Sequence, residues 1–229
     1  MKVSHIIFDL DNTLYSCNSR MDTGISERMM ECVMKFFNCS KEEAIKIRKS
    51  KIQNFSTTLE WLESEGLKDV EGFISYVHPA NEADEIEEDP LLRPFLQSIN
   101  IPKIICTNSP LEHAERVLNK LNVKDLFSCI CDIRDFNFRG KPYPSAFKKA
   151  LEKADGTLED TIFVDDMVKY TDGWEALGGT AVLVGDKNGH HLNPNACAKN
   201  TEPPLHQGKT YKIKNIYELK NLLTFLSEQ

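Results

Sequence analysis

The chain has 229 residues, with 28 Lys and Arg against 35 Asp and Glu, so its formal charge is -7, and 41% of the residues are hydrophobic. This length suits one large domain, or one domain with a smaller insertion, and the composition is typical of a compact protein rather than a disordered or fibrous one. An acidic chain lacks the positive surface behind most nucleic-acid affinity, so we expect no nucleic acid polymer as a partner and keep small anionic substrates open.

Short β-branched or apolar runs recur along the chain and predict buried strands. These runs cover residues 5–8, 103–106, 128–131, 161–164 and 180–184. Helical patterns follow most of them, which is typical of βαβ units in a mostly parallel sheet with helices on both faces.

Between about residues 21 and 88 only helical signals follow the first strand, which predicts an inserted helical unit. Apolar side chains recur at helical spacing before Ser40, which together with Glu43 has the pattern of a capping box opening a second helix. A third helix is predicted to begin near Leu59, and Asp69 could cap a fourth. Four short helices could pack as a small bundle.

Beyond the insertion, the chain is predicted to return to the main unit through an acidic tract at residues 82–89. A run of like charges is typical of a solvated linker, which we favour here over a metal site. Asp89 followed by Pro90 has the pattern of an N-cap and first helical residue. Ser109 and Glu112 predict another capping box.

The region from 187 to 209 is rich in Asn, Pro, Gly and His, which predicts an irregular loop. His190 and His191 lie in it without a third ligand at metal-binding spacing, so a solvated loop is the better interpretation. A short strand near residues 211–213 and a helix from Leu219 are expected after it.

Secretion and membrane insertion are not expected from the sequence. The first apolar run is stopped by Asp9, too early for the hydrophobic region of a signal peptide, and no stretch approaches the roughly 18 apolar residues of a membrane helix. The seven cysteines include no Cys-x-x-Cys pair, which favours reduced thiols over disulfides or structural zinc. We therefore predict a cytoplasmic protein with no membrane partner, while the oligomeric state stays unknown.

The strongest chemical signal is a pair of aspartates, Asp9 and Asp11, directly after the first predicted strand. Two residues apart, their side chains point to the same side, at the carboxyl end of the sheet. Ligands bind at that edge in open α/β folds. Taken alone, the pair could equally be an ordinary turn with side-chain-to-backbone hydrogen bonds.

Other polar residues follow predicted strands at the same edge. Thr107 and Asn108 come after the second strand and near a helix N-terminus, which suits an oxyanion. Lys141 lies in a loop before a helix, and Asp165 and Asp166 end a later strand. Each has an ordinary explanation as a helix cap, a solvated lysine or a turn, but together they favour one convergent site.

These residue types suit phosphoryl transfer through an aspartyl-phosphate. Several carboxylates in one place need a hard cation, and Mg2+ fits that demand. We expect Asp9 to attack phosphorus and Asp11, initially protonated, to act first as general acid and then as general base. Lys141, Thr107 and backbone amides would stabilise the phosphoryl oxygens.

In order along the chain, these polar residues resemble the four motifs of the haloacid dehalogenase superfamily. The matching segments are Asp9-x-Asp11-x-Thr13, Thr107-Asn108, Lys141 and Asp165-Asp166. The resemblance implies an α/β fold, with a Rossmann-like parallel-sheet core formed by residues 1–15 and 90–229. It also implies a four-helix cap domain inserted as residues 16–89.

The resemblance assigns roles to the matching positions. Asp9 would be the nucleophile and Asp11 the acid/base. The implied substrate- and phosphate-binding residues are Asn12, Thr13, Thr107, Asn108 and Lys141. The implied Mg2+ ligands are Asp9, the Asp11 carbonyl, Asp165 and Asp166, with Asp166 binding directly and Asp165 through water.

Further segments are similar to the pyrimidine 5'-nucleotidase branch of that superfamily. They include residues 9–15 (DLDNTLY), 57–59, 77–78 and 107–118. His78 and His113 match positions in that branch, and for both a hydrogen-bonding role and a catalytic role stay open. The chain departs from the branch at four positions, which are Ser56, Met167, Tyr170 and Trp174.

The sequence thus predicts a Mg2+-dependent phosphatase that hydrolyses a small phosphorylated metabolite, with a nucleoside monophosphate favoured. Two alternatives stay open: a sugar-phosphate mutase or phosphotransferase using the same aspartyl-phosphate, and a regulatory or binding protein that kept the fold and lost turnover. A dehalogenase is disfavoured, because that chemistry does not require a proton-donating Asp11.

Overall fold

The computed structural model describes residues 2–15, 20–185 and 205–228, with only the backbone described at 205–207. Within these ranges seven strands form one sheet. They are β1 (His5–Phe8), β2 (Lys103–Cys106), β3 (Ile130–Cys131), β4 (Thr161–Asp165), β5 (Thr180–Val184), β6 (Leu205–Gln207) and β7 (Thr210–Ile213). The order is β3-β2-β1-β4-β5-β7-β6, with β6 antiparallel to β7 and every other pairing parallel.

Four α-helices lie between β1 and residue 90, where the sequence predicts the insertion. They are α1 (Arg20–Phe37), α2 (Lys41–Lys51), α3 (Thr58–Ser64) and α4 (Val70–Val77). A short 3-10 helix at Glu82–Glu85 follows them. We call residues 20–89 the cap, while the domain boundaries given above stay a prediction.

The remaining helices of the described chain cover the sheet. They are α5 (Leu92–Gln97), α6 (Leu111–Lys120), α7 (Pro144–Ala154), α8 (Val168–Ala176) and α9 (Leu219–Ser227). The expected α/β fold, a largely parallel Rossmann-like sheet with a helical insertion, is therefore present. None of the helices in the described ranges has both the length and the apolar character needed to cross a membrane.

The central strand β1 shows why the strands read as unbroken apolar runs. Ile6 and Phe8 pack into one core with residues of the cap, α6 and α9, whereas Ile7 packs into a second core with α7 and α8 on the opposite face. All three side chains are fully buried. A parallel strand buried on both faces has no polar alternation to show.

Two predicted helix starts are confirmed. Ser40 and Glu43 form the capping box before α2, and the Asp69 carboxylate accepts the Gly72 N–H at 2.9 Å at the start of α4. Each side chain satisfies an amide that has no partner within the first helical turn.

Two other predicted starts are wrong. Helix α6 begins after Pro110, and its Leu111 amide donates to Asp132 rather than to Ser109. Helix α5 begins at Leu92, while Asp89 accepts the Leu91 N–H in the preceding turn. In both places the helix begins later in the chain than expected. A carboxylate accepts the amide at the helix start or just before it.

Of the predicted loop at residues 187–209, the structure describes residues 205–209. Its last part is not irregular, because residues 205–207 form β6 in a hairpin with β7. His190 and His191 lie outside the described residues.

Polar contacts tie the cap to the rest of the protein. The Tyr143 hydroxyl donates to Glu60 of α3 at 3.0 Å, and the Arg134 guanidinium makes two hydrogen bonds to Glu71 of α4, at 3.0 and 2.7 Å. Both cap carboxylates are thus held by side chains from the loop region between β3 and α7.

Trp174 on α8 fills the core beneath the carboxyl edge of the sheet. Its side chain is fully buried, its Nε1 donates to the Thr180 carbonyl at 3.0 Å, and its ring packs against Phe147 and Phe163 with centroids 5.4 Å away. A Cβ at Gly179 would lie 2.2 Å from Trp174 Nε1, so this close approach requires glycine.

We predict that Trp174→Ala lowers the free energy of unfolding by about 3–5 kcal/mol, because the large cavity cannot fully collapse. Urea denaturation measures the change. Leu91→Ala, at a side chain 51% exposed, is the matched control and should stay within about 0.5 kcal/mol of the wild type. A loss at Trp174 no larger than that of the control would contradict the packing role.

Candidate active site

Three carboxylates meet where β1 and β4 end side by side. Phe8 pairs with Val164 in the register, so Asp9 and the pair Asp165-Asp166 leave the sheet at the same level. One oxygen from each carboxylate lies within 4.8 Å of the others, and all three residues are buried. The alternative of an ordinary exposed turn at Asp9 does not fit this burial.

Lys141 joins two of these carboxylates. Its fully buried ammonium lies 2.6 Å from Asp9 Oδ1 and 2.7 Å from Asp165 Oδ2. The coulombic attraction of both carboxylates outweighs the effect of burial and raises the pKa of Lys141 well above its usual value. Lys141 is therefore a fixed positive charge in the site rather than a solvated lysine.

Asn108 holds the backbone of Lys141 in place. Its Oδ1 accepts the Lys141 N–H at 2.7 Å and its Nδ2 donates to the Lys141 carbonyl at 2.9 Å. A Cβ at Gly140 would lie 2.1 Å from Asn108 Oδ1, so glycine is needed for this approach. The Asn108 amide, expected among the phosphate-binding groups, is thus engaged in positioning the lysine.

The charge of one lysine does not balance three buried carboxylates. Burial raises the pKa of Asp9, Asp165 and Asp166, and for Asp166 the charges of Asp9 and Asp165 add to this effect. A hard divalent cation would neutralise the excess negative charge, and buried carboxylate oxygens are the donors that Mg2+ prefers. The donor set therefore fits the expected metal.

The two neighbouring aspartates of β4 differ in their contacts. Asp165 accepts from Lys141 Nζ through one oxygen and from the Met167 N–H, at 2.8 Å, through the other. Asp166 lies beside the Thr13 hydroxyl, at 3.5 Å. The less committed carboxylate is the better candidate for direct metal binding, which agrees with the order expected from the sequence.

Asp11 accepts three hydrogen bonds from side chains. Oδ1 accepts from the Tyr15 hydroxyl at 2.6 Å and from His113 Nε2 at 2.7 Å, and Oδ2 accepts from the Ser109 hydroxyl at 2.6 Å. Burial alone would raise the pKa of Asp11, but the charge of His113 and these hydrogen bonds lower it below its usual range. Asp11 is thus ionised in this arrangement, contrary to the expectation that it starts protonated.

His113 lies between two carboxylates. Its Nδ1 is 2.7 Å from Glu82 Oε1 and its Nε2 is 2.7 Å from Asp11 Oδ1, and the side chain is fully buried. Burial would lower the pKa of His113, but Asp11 and Glu82 raise it to about 10. The ring therefore carries a proton on each nitrogen and donates to both neighbours.

Glu82 corrects the interpretation of the acidic tract as a solvated linker. Its side chain is 1% exposed and accepts from His113, from Arg116 at 2.7 Å and from His78 Nδ1 at 3.1 Å. These donors lower the pKa of Glu82 against the effect of burial. A carboxylate can be buried here because cationic and hydrogen-bonding partners surround it.

The remaining predicted residues lie around this site in different roles. Thr13 is buried and its hydroxyl donates to Asp9 Oδ2 at 3.2 Å, while the buried Thr107 hydroxyl accepts the Ser109 N–H at 3.0 Å. Asn12 adopts a left-handed backbone conformation with φ of 64°, and its side chain hydrogen-bonds Asp22 of the cap. The structure thus brings Thr13 to the carboxylates, engages Thr107 with the backbone of Ser109 and joins Asn12 to the cap.

The family model for haloacid dehalogenase-like hydrolases matches residues 3–169, which includes every segment described at this site. The chain belongs to this family. This finding confirms the resemblance to the superfamily that the ordered motifs indicated.

Solved structures with different chemistries share the fold. The chain is similar to a HAD phosphatase from Thermococcus onnurineus, with 20% identity over 97% of this chain and 98% of that chain and a TM-score of 0.60. A β-phosphoglucomutase from Clostridium difficile matches with 18% identity over 99% and 100% of the chains and a TM-score of 0.60. An L-2-haloacid dehalogenase from Xanthobacter autotrophicus, with chloropropionic acid covalently bound, matches with 13% identity over 97% and 98% and a TM-score of 0.58.

Sequence reasoning missed the partners of Asp11 in this haloacid dehalogenase-like hydrolase. The sequence predicts a helix cap at Ser109 and gives no role to Tyr15, both of which donate to Asp11, and it places Glu82, the partner of His113, in a linker. One signal was available, because His113 lies on the same helical face as Ala114 and Val117, where burial requires a polar partner. The sequence does not reveal that this partner comes from the cap.

The departures from the nucleotidase branch leave the catalytic groups assembled. At Met167 the backbone N–H contacts Asp165, so the side chain is not needed for that bond. The Tyr170 hydroxyl lies 3.2 Å from the donating Asn108 Nδ2, and its ring centroid is 4.9 Å from Lys141 Nζ. Trp174 packs in the core below. Tyr170 therefore supports the lysine.

We predict that Mg2+ raises the melting temperature of the wild type and that Asp166→Asn weakens Mg2+ binding by more than about tenfold, because a metal-facing carboxylate is lost. Titration calorimetry and thermal unfolding with Mg2+ or EDTA measure both effects. Asp84→Asn, an exposed change in the acidic tract, is the matched control. Wild-type affinity in Asp166→Asn would exclude Asp166 as a ligand.

Proposed function

We propose that this haloacid dehalogenase-like hydrolase is a Mg2+-dependent phosphatase that hydrolyses a small phosphomonoester through a phosphorylated Asp9. The observation that carries the proposal is the buried Lys141 ammonium, 2.6 Å from Asp9 Oδ1, beside the two further carboxylates of Asp165 and Asp166. A carboxylate nucleophile next to fixed positive charge and a cation-binding donor set is the arrangement that attack on an anionic phosphate requires.

In the first step, an oxygen of Asp9 forms a bond to phosphorus while the bond to the leaving oxygen breaks. Asp11 gives a proton to that oxygen, so the alcohol departs neutral. The negative charge of a bound phosphate raises the proton affinity of the Asp11 carboxylate, which offsets the low pKa it has without substrate. In the second step, Asp11 takes a proton from water as water attacks phosphorus, and Asp9 is released with inorganic phosphate.

Other residues keep the charges in position. Lys141 orients Asp9 and faces the phosphoryl oxygens, Thr13 donates to Asp9, and the loop at Thr107 places hydroxyl and amide groups beside the site. We assign Mg2+ to Asp9, Asp166 and the Asp11 carbonyl, with Asp165 contributing through water. When bound, Mg2+ would neutralise charge on the phosphoryl group and the carboxylates.

The substrate proposed for the first assays is a nucleoside monophosphate. This choice rests on the similarity of residues 9–15, 57–59 and 107–118 to the pyrimidine 5'-nucleotidase branch. We also propose a cytoplasmic location, which agrees with the free buried thiols of Cys106 and Cys131.

Three other functions are less well supported. A dehalogenase has no need for an Asp11 surrounded by hydrogen-bond donors, and loss of turnover does not fit a site in which Asp9, Asp11 and Lys141 are all engaged. A mutase or phosphotransferase would use the same first step and return the phosphoryl group to an alcohol. Product analysis separates these cases, since isomerised product without free phosphate would exclude simple hydrolysis.

We predict Mg2+-dependent phosphate release from at least one member of a panel of nucleoside monophosphates and sugar phosphates. Asp9→Asn should lower kcat at least about 1,000-fold, because the nucleophile is lost. Malachite-green detection of phosphate measures the rate, with Asp155→Asn at the exposed end of α7 as the matched control. Unchanged activity in Asp9→Asn would exclude the aspartyl-phosphate route.

A further inference from the structure

We propose that His113 and Glu82 are positioning residues that orient the Asp11 carboxyl for proton transfer, so that the cap takes part in the chemical step. The inference rests on the proposed phosphatase function. Its geometric basis is a continuous hydrogen-bonded chain in which Glu82 Oε1, both ring nitrogens of His113 and Asp11 Oδ1 are joined by two contacts of 2.7 Å.

The chain is shielded from water. The side chains of His113 and Glu82 are 0% and 1% exposed, so their hydrogen bonds are not exchanged for bonds to solvent. Because both nitrogens of the ring are engaged, the ring cannot rotate without breaking a bond at each end. Glu82 thus fixes the His113 ring, and the ring points Nε2 at one oxygen of Asp11. In serine proteases a buried carboxylate orients a histidine in the same way.

Glu82 brings the cap into this arrangement. It lies in the 3-10 helix at the end of the cap, whereas His113 and Arg116 lie on α6 beside the sheet. Arg116 donates to Glu82 Oε1 at 2.7 Å and to the His78 carbonyl at 3.1 Å, so one guanidinium holds two points of the cap. Displacement of this part of the cap would move the group that fixes His113.

The orientation of Asp11 depends on this chain because its two oxygens have different partners. Oδ1 accepts from His113 and Tyr15, and Oδ2 accepts from Ser109. Without His113 the carboxyl keeps one hydroxyl donor on each oxygen and loses the donor that α6 supplies at 2.7 Å. The carboxyl is then free to sample orientations that do not face the leaving oxygen.

A metal site is the competing interpretation, since His78, Glu82 and His113 offer ligand atoms within 4.8 Å of one another. The contacts disfavour it. Both nitrogens of His113 already face carboxylates, and both oxygens of Glu82 face donors, including Arg116 at 2.7 Å and Arg28 at 3.9 Å. A cation placed there would be repelled by two guanidinium groups. In a positioning network the same two groups hold Glu82 in place.

The test compares two phosphomonoesters that differ in their need for a proton. The leaving group of β-glycerol phosphate would be an unstable alkoxide, so it needs a proton from a general acid, whereas p-nitrophenyl phosphate releases a stable phenolate without one. Loss of Asp11 positioning should lower kcat/KM, which reports the steps up to the phosphorylated Asp9, by about 10- to 100-fold for β-glycerol phosphate and by less than about threefold for p-nitrophenyl phosphate. We expect this selective loss in His113→Asn and Glu82→Gln.

Two further variants keep the experiment decisive. Glu82→Asp shortens the side chain and withdraws it from His113 while keeping a buried carboxylate beside Arg116 and Arg28, so it tests positioning without removing the charge and should show the same selective loss. Glu85→Gln changes an exposed carboxylate in the same 3-10 helix and should leave both rates unchanged. Thermal unfolding of each variant confirms that the folded protein is being assayed.

Equal losses of kcat/KM for both esters would assign His113 and Glu82 a purely structural role and overturn the proposal. Rates that stay at the wild-type level would also overturn it. In both cases an active wild type leaves the proposed phosphatase function standing. A wild type inactive toward both esters and toward the metabolite panel would instead overturn the proposed function and the positioning role together.

Discussion

The site depends on a lysine buried between two aspartates. Lys141 carries its charge into a fully buried position, which is tolerable only because Asp9 and Asp165 contact its ammonium at 2.6 and 2.7 Å. The same contact allows the carboxylates to be buried. It also requires the register of β1 and β4, since a slip of one residue would turn Asp9 away from Asp165. The strand register therefore places the two aspartates around Lys141, and the charges of the three residues make their burial at this edge possible.

The second aspartate of the motif follows the same electrostatic rule with different partners. Asp9 shares a cation with Asp165, and Asp11 shares the His113 cation with Glu82. The first arrangement lies within the sheet domain and holds Asp9, the proposed nucleophile, at the strand ends. The second extends into the cap, so the proposed acid–base group Asp11 is joined to the cap through His113 and Glu82. The two aspartates thus have separate supports suited to separate tasks.

The sequence predicted the sheet residues of the site well and the cap residues poorly. Strand-end positions such as Asp9 and Asp165 follow from local apolar runs and from the rule that parallel strands end at one edge. Glu82 is one of several acidic residues in its tract, and local sequence does not distinguish the one that meets His113, 31 residues away. The cap predicted at Ser109 is wrong for a related reason, because the Ser109 hydroxyl instead donates to Asp11, 98 residues away in the sequence. Long-range pairing decides both cases.

Fold similarity alone does not choose among the chemistries of this family, because a phosphatase, a mutase and a dehalogenase share the architecture at 13–20% identity. The discriminating feature is what surrounds the second aspartate. A reaction that expels a halide needs no proton at the leaving atom, so it gives no reason to place three hydrogen-bond donors around Asp11. Expulsion of an alkoxide does need one, and a carboxyl that transfers a proton must be held at a defined angle and distance. Expulsion of an alkoxide thus accounts for the buried carboxylate of Glu82, because Glu82 fixes His113 and His113 holds Asp11.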